Sequence, residues 1–191
     1  MRLRVMKLAV ACLSIVAIAA GQDTPIDLQR STIRIHVGKA GLLSVAGHDH
    51  TISAPISSGA IGESAAPHVE FTVETAKMTV MPDPKVDAKT QAEIQKDMEE
   101  MTLEIRKYPQ ITFRSSRVDK QAEGQWKVDG DLALHGITKP VSLTVKRTGD
   151  SYVAHTTLKQ TTFGIKPISV GGGTIKVKDE VEIDFTIYPR R

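Results

Sequence analysis

Thiol chemistry has almost nothing to work with in this chain: its 191 residues include a single cysteine, Cys12. That residue lies inside an apolar N-terminal run, where it reads as one more apolar side chain. The remainder therefore has no disulfide to form and no thiolate to offer a metal. Phe, Trp and Tyr together make up 4%, too few for the stacking platforms of single-strand nucleic-acid binders. No G-x-S-x-G elbow, P-loop or G-x-G-x-x-G motif is present, and no serine sits in a nucleophile motif. The chain carries 25 Lys+Arg against 22 Asp+Glu, but Arg2, Arg4 and Lys7 supply three of those bases, which leaves 22 against 22 beyond them. Phosphate recognition along a nucleic acid depends on a positive excess, and that excess is missing.

The same three bases head a recognisable segment. Leu8 to Ala20 is almost unbroken apolar sequence, Ala17 and Ala19 are small, and Gly21-Gln22-Asp23 turns the chain polar. This is the layout of a secretory signal peptide, and it is too short for a comfortable transmembrane helix. The sequence predicts a removed segment over 1–21, one domain over 22–191, a mature chain with no stable membrane span, and a periplasmic or secreted location.

Beyond that segment the residues alternate. Ile33, Ile35 and Val37 share one face, with Thr32, Arg34 and His36 on the other. Val69-x-Phe71-x-Val73, Ile111-x-Phe113, Trp126-x-Val128, Leu132-x-Leu134, Val141-x-Leu143-x-Val145 and Val181-x-Ile183-x-Phe185-x-Ile187 repeat the pattern. A period of two marks strands with one apolar face. Turn chemistry separates the runs at Glu123-Gly124, Gly136 to Pro140, Gly149-Asp150 and Gly171-Gly172-Gly173. The expectation is an all-β, antiparallel, roughly eight-stranded barrel, with strands near 32–38, 50–61, 67–76, 110–118, 125–134, 140–148, 151–162 and 178–188. A homodimer joined along strand edges is left open.

One segment departs from alternation. From Asp87 to Ile105 the apolar residues Ile94, Met98, Met101 and Ile105 recur at helical spacing, which predicts one inserted amphipathic helix with Asp87 as N-cap and Pro84 as the break before it. Its stripe is read as core packing, with a lid over a ligand mouth as the alternative. A barrel of this size holds either packed side chains or one small ligand, and composition does not separate a filled interior from a hollow one.

Six histidines lie beyond the N-terminal run: His36, His48, His50, His68, His135 and His155. In Gly47-His48-Asp49-His50, two imidazoles one residue apart share a strand face. They form a candidate half-site for a divalent metal, which His36 or His135 would have to complete through the fold. The competing reading is a polar turn whose side chains bond locally.

Four stretches stand out: "KYPQITFRSS" (Lys107 to Ser116), "VDGDLALHGITKPVSL" (Val128 to Leu143), "TTFGI" (Thr161 to Ile165) and "VKDEVEIDF" (Val177 to Phe185). Together, in this order and over about 31 to 188, they resemble the YceI-like family of lipocalin-like polyisoprenoid-binding proteins. The resemblance implies a secreted, roughly eight-stranded barrel with an elongated apolar cavity that binds an isoprenoid or other long-chain lipid. With the missing motifs and the charge balance, the reading is a binding protein with no catalysis, no cofactor and no nucleic-acid partner. On that reading the candidate lining is Ile35, Phe71, Phe113, Leu132, Leu134, Leu143, Val145, Phe163 and Phe185. The alternative function is a metal-binding or metal-dependent protein centred on His48 and His50.

Overall fold

The computed structural model describes residues 23–40, 49–63, 66–170 and 175–191. The expected removed segment 1–21, His48 and the Gly171-Gly172-Gly173 turn lie outside the described residues.

Alternation yields strands wherever it was expected. The described strands are β1 (Thr24–Pro25), β2 (Thr32–Ala40), β3 (His50–Ser53), β4 (Ile56–Gly62), β5 (His68–Glu74), β6 (Thr79–Val80), β7 (Gln110–Ala122), β8 (Gln125–Leu134), β9 (Ile137–Thr148), β10 (Ser151–Lys159), β11 (Ser169–Val170) and β12 (Ile175–Ile187). All pair antiparallel in one curled sheet, in the order β1-β4-β5-β7-β8-β9-β10-β12-β2-β3-β6, with β11 added to β12. The expected count of eight is corrected to twelve, for two physical reasons. β1, β6 and β11 are two-residue pieces, too short to show a period. The expected strand over 50–61 is broken at Ala54-Pro55, where proline removes a ladder donor. This break is a corner in the sheet. β3 stays paired with β2, with Ile35 opposite Ile52, while β4 crosses to β5, with Ile61 opposite Val69. The two ends of the sheet thus meet through one bent segment.

The turns follow the backbone chemistry. Only His135 and Gly136 join β8 to β9, both at positive φ (53° and 75°), as a two-residue hairpin requires. The expected turn over Gly136 to Pro140 is therefore shorter than its composition suggested, and Pro140 lies inside β9 opposite Asp131.

Helix α1 spans Ala88–Asp97, and Asp87 caps it by accepting from the backbone N–H of Lys89 and Thr90 at 3.0 Å each. It continues into a π turn, Met98–Thr102. That turn corrects the expected stripe. A wider turn adds a residue to the register, so Met98 (5% exposed) and Leu103 (7%) point inward while Met101 stands 63% exposed. Two glutamines fasten α1 to the edge strand β6. Gln95 accepts from Val80 N at 2.8 Å, and Gln91 Nε2 donates to Val80 O at 3.0 Å. Their amides stand where a further strand would otherwise pair.

The solid core lies under this helix. Ile26, Ile33, Ile56, Val73, Met78, Met98, Leu103 and Ile187 are buried together there. The other half of the sheet, β7 to β10, has no such plug.

Candidate functional site

The inward side chains of β7, β8, β9, β10 and β12 are mostly Val, Leu and Ile. Medium aliphatic residues around a curled sheet leave its interior unfilled, and a cavity of about 780 Å³ results. That is in the upper part of the roughly 300–1,000 Å³ range of small-molecule sites. All nine residues named as candidate lining stand on its wall. They differ in burial. Phe163 (1% exposed) and Phe113 (5%) are buried, whereas Ile35, Phe71, Leu132, Leu134, Leu143, Val145 and Phe185 are half-buried, because they face open space. Phe71 is a hub, 5.5 Å from the Phe113 ring centroid and 6.2 Å from that of Phe185. Lining residues on β8 run from Trp126 to Leu134, eight residue steps or roughly 27 Å of strand at about 3.4 Å each.

Both ends are built differently from the middle. At one end the turns after β4, β7 and β9 gather Glu63, Lys120, Arg147, Trp126 and Tyr152 at the cavity wall. The Tyr152 hydroxyl donates to Glu63. Burial, and then the hydrogen bond to this carboxylate, push its pKa up to about 12, so the hydroxyl remains a donor throughout the physiological range. The Trp126 ring meets Tyr152 edge-on at 5.6 Å. The cations here are engaged: Lys120 Nζ lies 2.7 Å from Glu123, and Arg147 Nε donates to Gly149 O at 3.3 Å.

The opposite end is closed by the four quoted motifs, which interlock. The Tyr108 ring lies 4.2 Å from that of His135, and a Cβ on Gly136 would come within 2.6 Å of Tyr108 Cε1. Gly164, at φ 72°, ends the turn Gln160–Phe163 against the same hairpin, since a Cβ there would lie 3.2 Å from Ile137 Cδ1. Asp179 accepts from Thr161 N at 2.8 Å and Thr161 Oγ1 at 2.7 Å; these bonds hold the Asp179 carboxyl below the usual range. Thr75, 1% exposed, donates from Oγ1 to Tyr108 O at 2.9 Å and from its backbone N–H to Pro109 O at 3.0 Å. The motifs are thus mainly frame. Thr75 was not singled out from the sequence, where it is one threonine at a strand end with no local signal.

The histidines do not converge. His50 stands opposite Val37, on the inner face shared with Ile52. Asp49 accepts from Lys39 N at 3.0 Å. His36 is on the outer face, with Nε2 2.9 Å from Asp184 and Nδ1 3.3 Å from Thr51 Oγ1. His155 Nδ1 reaches the other Asp184 oxygen at 2.8 Å, and these contacts depress the Asp184 pKa, His155 contributing most. This row clasps β3, β2, β12 and β10 on an open wall. It does not line the cavity. His36 and His50 point to opposite sides of the sheet, and His135 belongs to the closed end, so neither candidate third ligand joins His50. Among the described residues no group of three or more His, Cys, Asp or Glu is arranged to hold a metal ion. No helix among them is long and apolar enough to cross a membrane.

Comparison with known proteins agrees with this architecture. A UPF0312 protein of Yersinia enterocolitica is 53% identical over 47 residues, covering 25% of this chain and 24% of that protein. One of Pseudomonas putida is 34% identical over 90 residues, covering 42% and 47%. The matched stretches span less than half the length of these relatives. Among solved structures, a polyisoprenoid binding domain from Saccharophagus degradans superposes with a TM-score of 0.61 at 15% identity, over 89% of this chain and 100% of that one. Burkholderia cenocepacia BcnA does so with 0.58 at 17%, over 86% and 99%. At such identities the likeness concerns the fold. The YceI-like domain matches residues 25–188, and with the four motifs, the curled antiparallel sheet and its inserted helix, the chain belongs to the YceI-like family.

Proposed function

We propose that the protein is an exported, non-catalytic carrier that holds a polyisoprenoid or similar long-chain lipid inside the sheet. The single observation that carries this reading is the hollow interior: about 780 Å³ walled by Val, Ile, Leu and Phe. Each CH₂ moved from water into such a space contributes about 0.8 kcal/mol, and a chain lying along β8 gathers many of them. The nine residues from Ile35 to Phe185 supply the contact surface. Family membership and the ligand named for the Saccharophagus degradans domain support the lipid class. The basic head and apolar run of residues 1–21 support export.

Native mass spectrometry of the untagged protein from the periplasm of its own host tests the whole reading. The expected result is a chain lacking its first twenty or so residues, carrying an added mass that organic extraction removes and that fragments as an isoprenoid. A full-length mass would refute removal of the N-terminal segment. A stoichiometric divalent metal lost on His48/His50 substitution would instead establish the metal reading. A bare polypeptide after gentle isolation, with no uptake of added isoprenoid alcohol, would sink the carrier.

A further inference from the structure

The barrel wall has a window. β9 and β10 pair only from Thr148 opposite Ser151 to Val145 opposite Ala154. Beyond that point β9 continues against β8 as far as Ile137, and β10 continues against β12 as far as Lys159, but the two strands no longer join each other. The lining confirms the gap. Side chains of a strand alternate between faces, so an enclosed cavity touches every second residue. Here the lining includes Lys139 to Leu143 without interruption, and Thr156 to Gln160 likewise. The cavity therefore passes through the wall between these edges. The paired stretch bounds the window on one side, and the Gln160–Phe163 turn with Gly164 on Ile137 bounds it on the other. Pro140 in β9 fits a strand that has become an edge.

A charge sits in this window where the pattern calls for an apolar side chain. Lys139 shares the inward face of β9 with Ile137, Val141, Leu143 and Val145 and stands opposite Leu132. It is exposed and, among the described residues, forms no ion pair. Lys159 stands across the gap on β10, opposite Glu180 and near Asp179, so part of its charge is already answered. Ser142, Thr156 and Thr157 add hydroxyls to the rim, with Ser142 donating to Asp129.

Resting on the carrier reading above, we propose that this window is a headgroup site. Lys139, with Lys159 across from it, holds the anionic head of a single-chain amphiphile whose apolar chain lies in the cavity. A cation at the side opening of an apolar space selects a phosphate or carboxylate head over a neutral one. The end of the cavity near Tyr152 is the poorer place for such a head, because Glu63 stands there and Lys120 is paired with Glu123.

The test compares geranylgeranyl phosphate with geranylgeraniol by fluorescence competition, on the intact folded protein and on Lys139→Ala, Lys139→Arg and Arg147→Ala. Thermal melts verify that each variant is folded. The wild type is expected to bind the phosphate roughly three- to tenfold tighter than the alcohol, as for one or two partly exposed charge-assisted contacts. Lys139→Ala brings the ratio near one, Lys139→Arg and Arg147→Ala keep it, and molar salt shrinks it in the wild type. Inorganic phosphate at millimolar concentration does not displace the alcohol. A ratio unchanged in Lys139→Ala, or lost in Arg147→Ala instead, overturns the window as headgroup site while leaving the carrier reading intact. Phosphate alone bound as tightly as the lipid would make this a free-anion site and overturn it too. Failure of both amphiphiles to bind the wild type would overturn the carrier reading itself.

Discussion

Replacing Leu143 by tryptophan separates a hollow interior from a packed one. In a close-packed core, added side-chain volume forces neighbours off their rotamers and costs about 1–3 kcal/mol. Leu143 is half-buried on the inner face of β9, and what it faces is a cavity of about 780 Å³. An indole there extends into open space. It removes further apolar surface from water at about 25 cal/mol per Å², which offsets the rotamer freedom it loses. Stability should change by less than about 1 kcal/mol, a melting shift under about 4 °C for a domain of this size. The ligand then loses the volume the ring has taken, and affinity for a long isoprenoid alcohol should fall at least about tenfold, or about 1.4 kcal/mol. Phe163→Ala is the contrast. That ring is 1% exposed, and its truncation should cost about 3–5 kcal/mol. Thermal unfolding followed by circular dichroism, with fluorescence-monitored uptake, measures both. A tryptophan variant that melts 10 °C or more lower, by the same conversion about 2.5 kcal/mol or more, would mean the space is filled in solution. One that melts normally and still takes up lipid would remove Leu143 from the site.

Three further predictions concern the frame. Thr75→Val keeps the shape of a fully buried side chain but leaves Tyr108 O without its 2.9 Å donor; a loss of about 1–3 kcal/mol is expected in denaturant titration, and an unchanged midpoint would show that the bond contributes nothing. Gly136→Ala combines positive φ with a Cβ 2.6 Å from the Tyr108 ring, so it should destabilise by roughly 1–3 kcal/mol, whereas Gly149→Ala, with positive φ but nothing within 4 Å of the new Cβ, should cost less; equal losses would exclude a role for the ring contact. The carboxyls of Asp87, Asp150, Asp179 and Asp184 are all depressed, chiefly by donated hydrogen bonds. Their contribution is present above the unfolded carboxylate pKa and is lost as pH falls through the lower folded values. The melting temperature should therefore hold down to about pH 4 and drop below it; a flat profile to pH 2 would contradict the assignment.

Much of the architecture is legible in residue order because alternation is a local property. Val141-x-Leu143-x-Val145 declares which side of β9 faces inward, whatever strand lies beside it. Non-local properties are not written that way. Nothing in Ser151 to Lys159 says that β10 leaves β9 after Ala154, since both strands go on alternating; Pro140 was the one local hint of an edge. The π turn likewise has no signature in Met98 to Thr102, so the outward turn of Met101 and the inward one of Leu103 emerge only with the helix docked on β6. His36 and His50 look equivalent in the sequence, yet strand parity sends them to opposite faces. The cavity walls follow from the pattern, whereas hollowness depends on how far the walls stand apart.

The meeting of the two ends of the domain bears on when it can fold. Ile26, 1% exposed, bridges Pro189 across 189 − 26 = 163 positions. Asp27 N donates to Tyr188 O at 2.8 Å, Arg190 N to Pro25 O at 2.7 Å, and Arg30 stacks over the Tyr188 ring at 4.0 Å. β2 also waits for β12, whose partner residues come almost a whole chain later. Contacts of such sequence separation form slowly, because the loop must close before they stabilise anything. A chain threaded across a membrane from its N-terminus could pair β2 with β3 and β4 with β5 early, but the other edge of β2 would lack its β12 partner until the last strand emerged. On the export and carrier readings proposed above, the wall could close around a lipid only after that last strand had emerged.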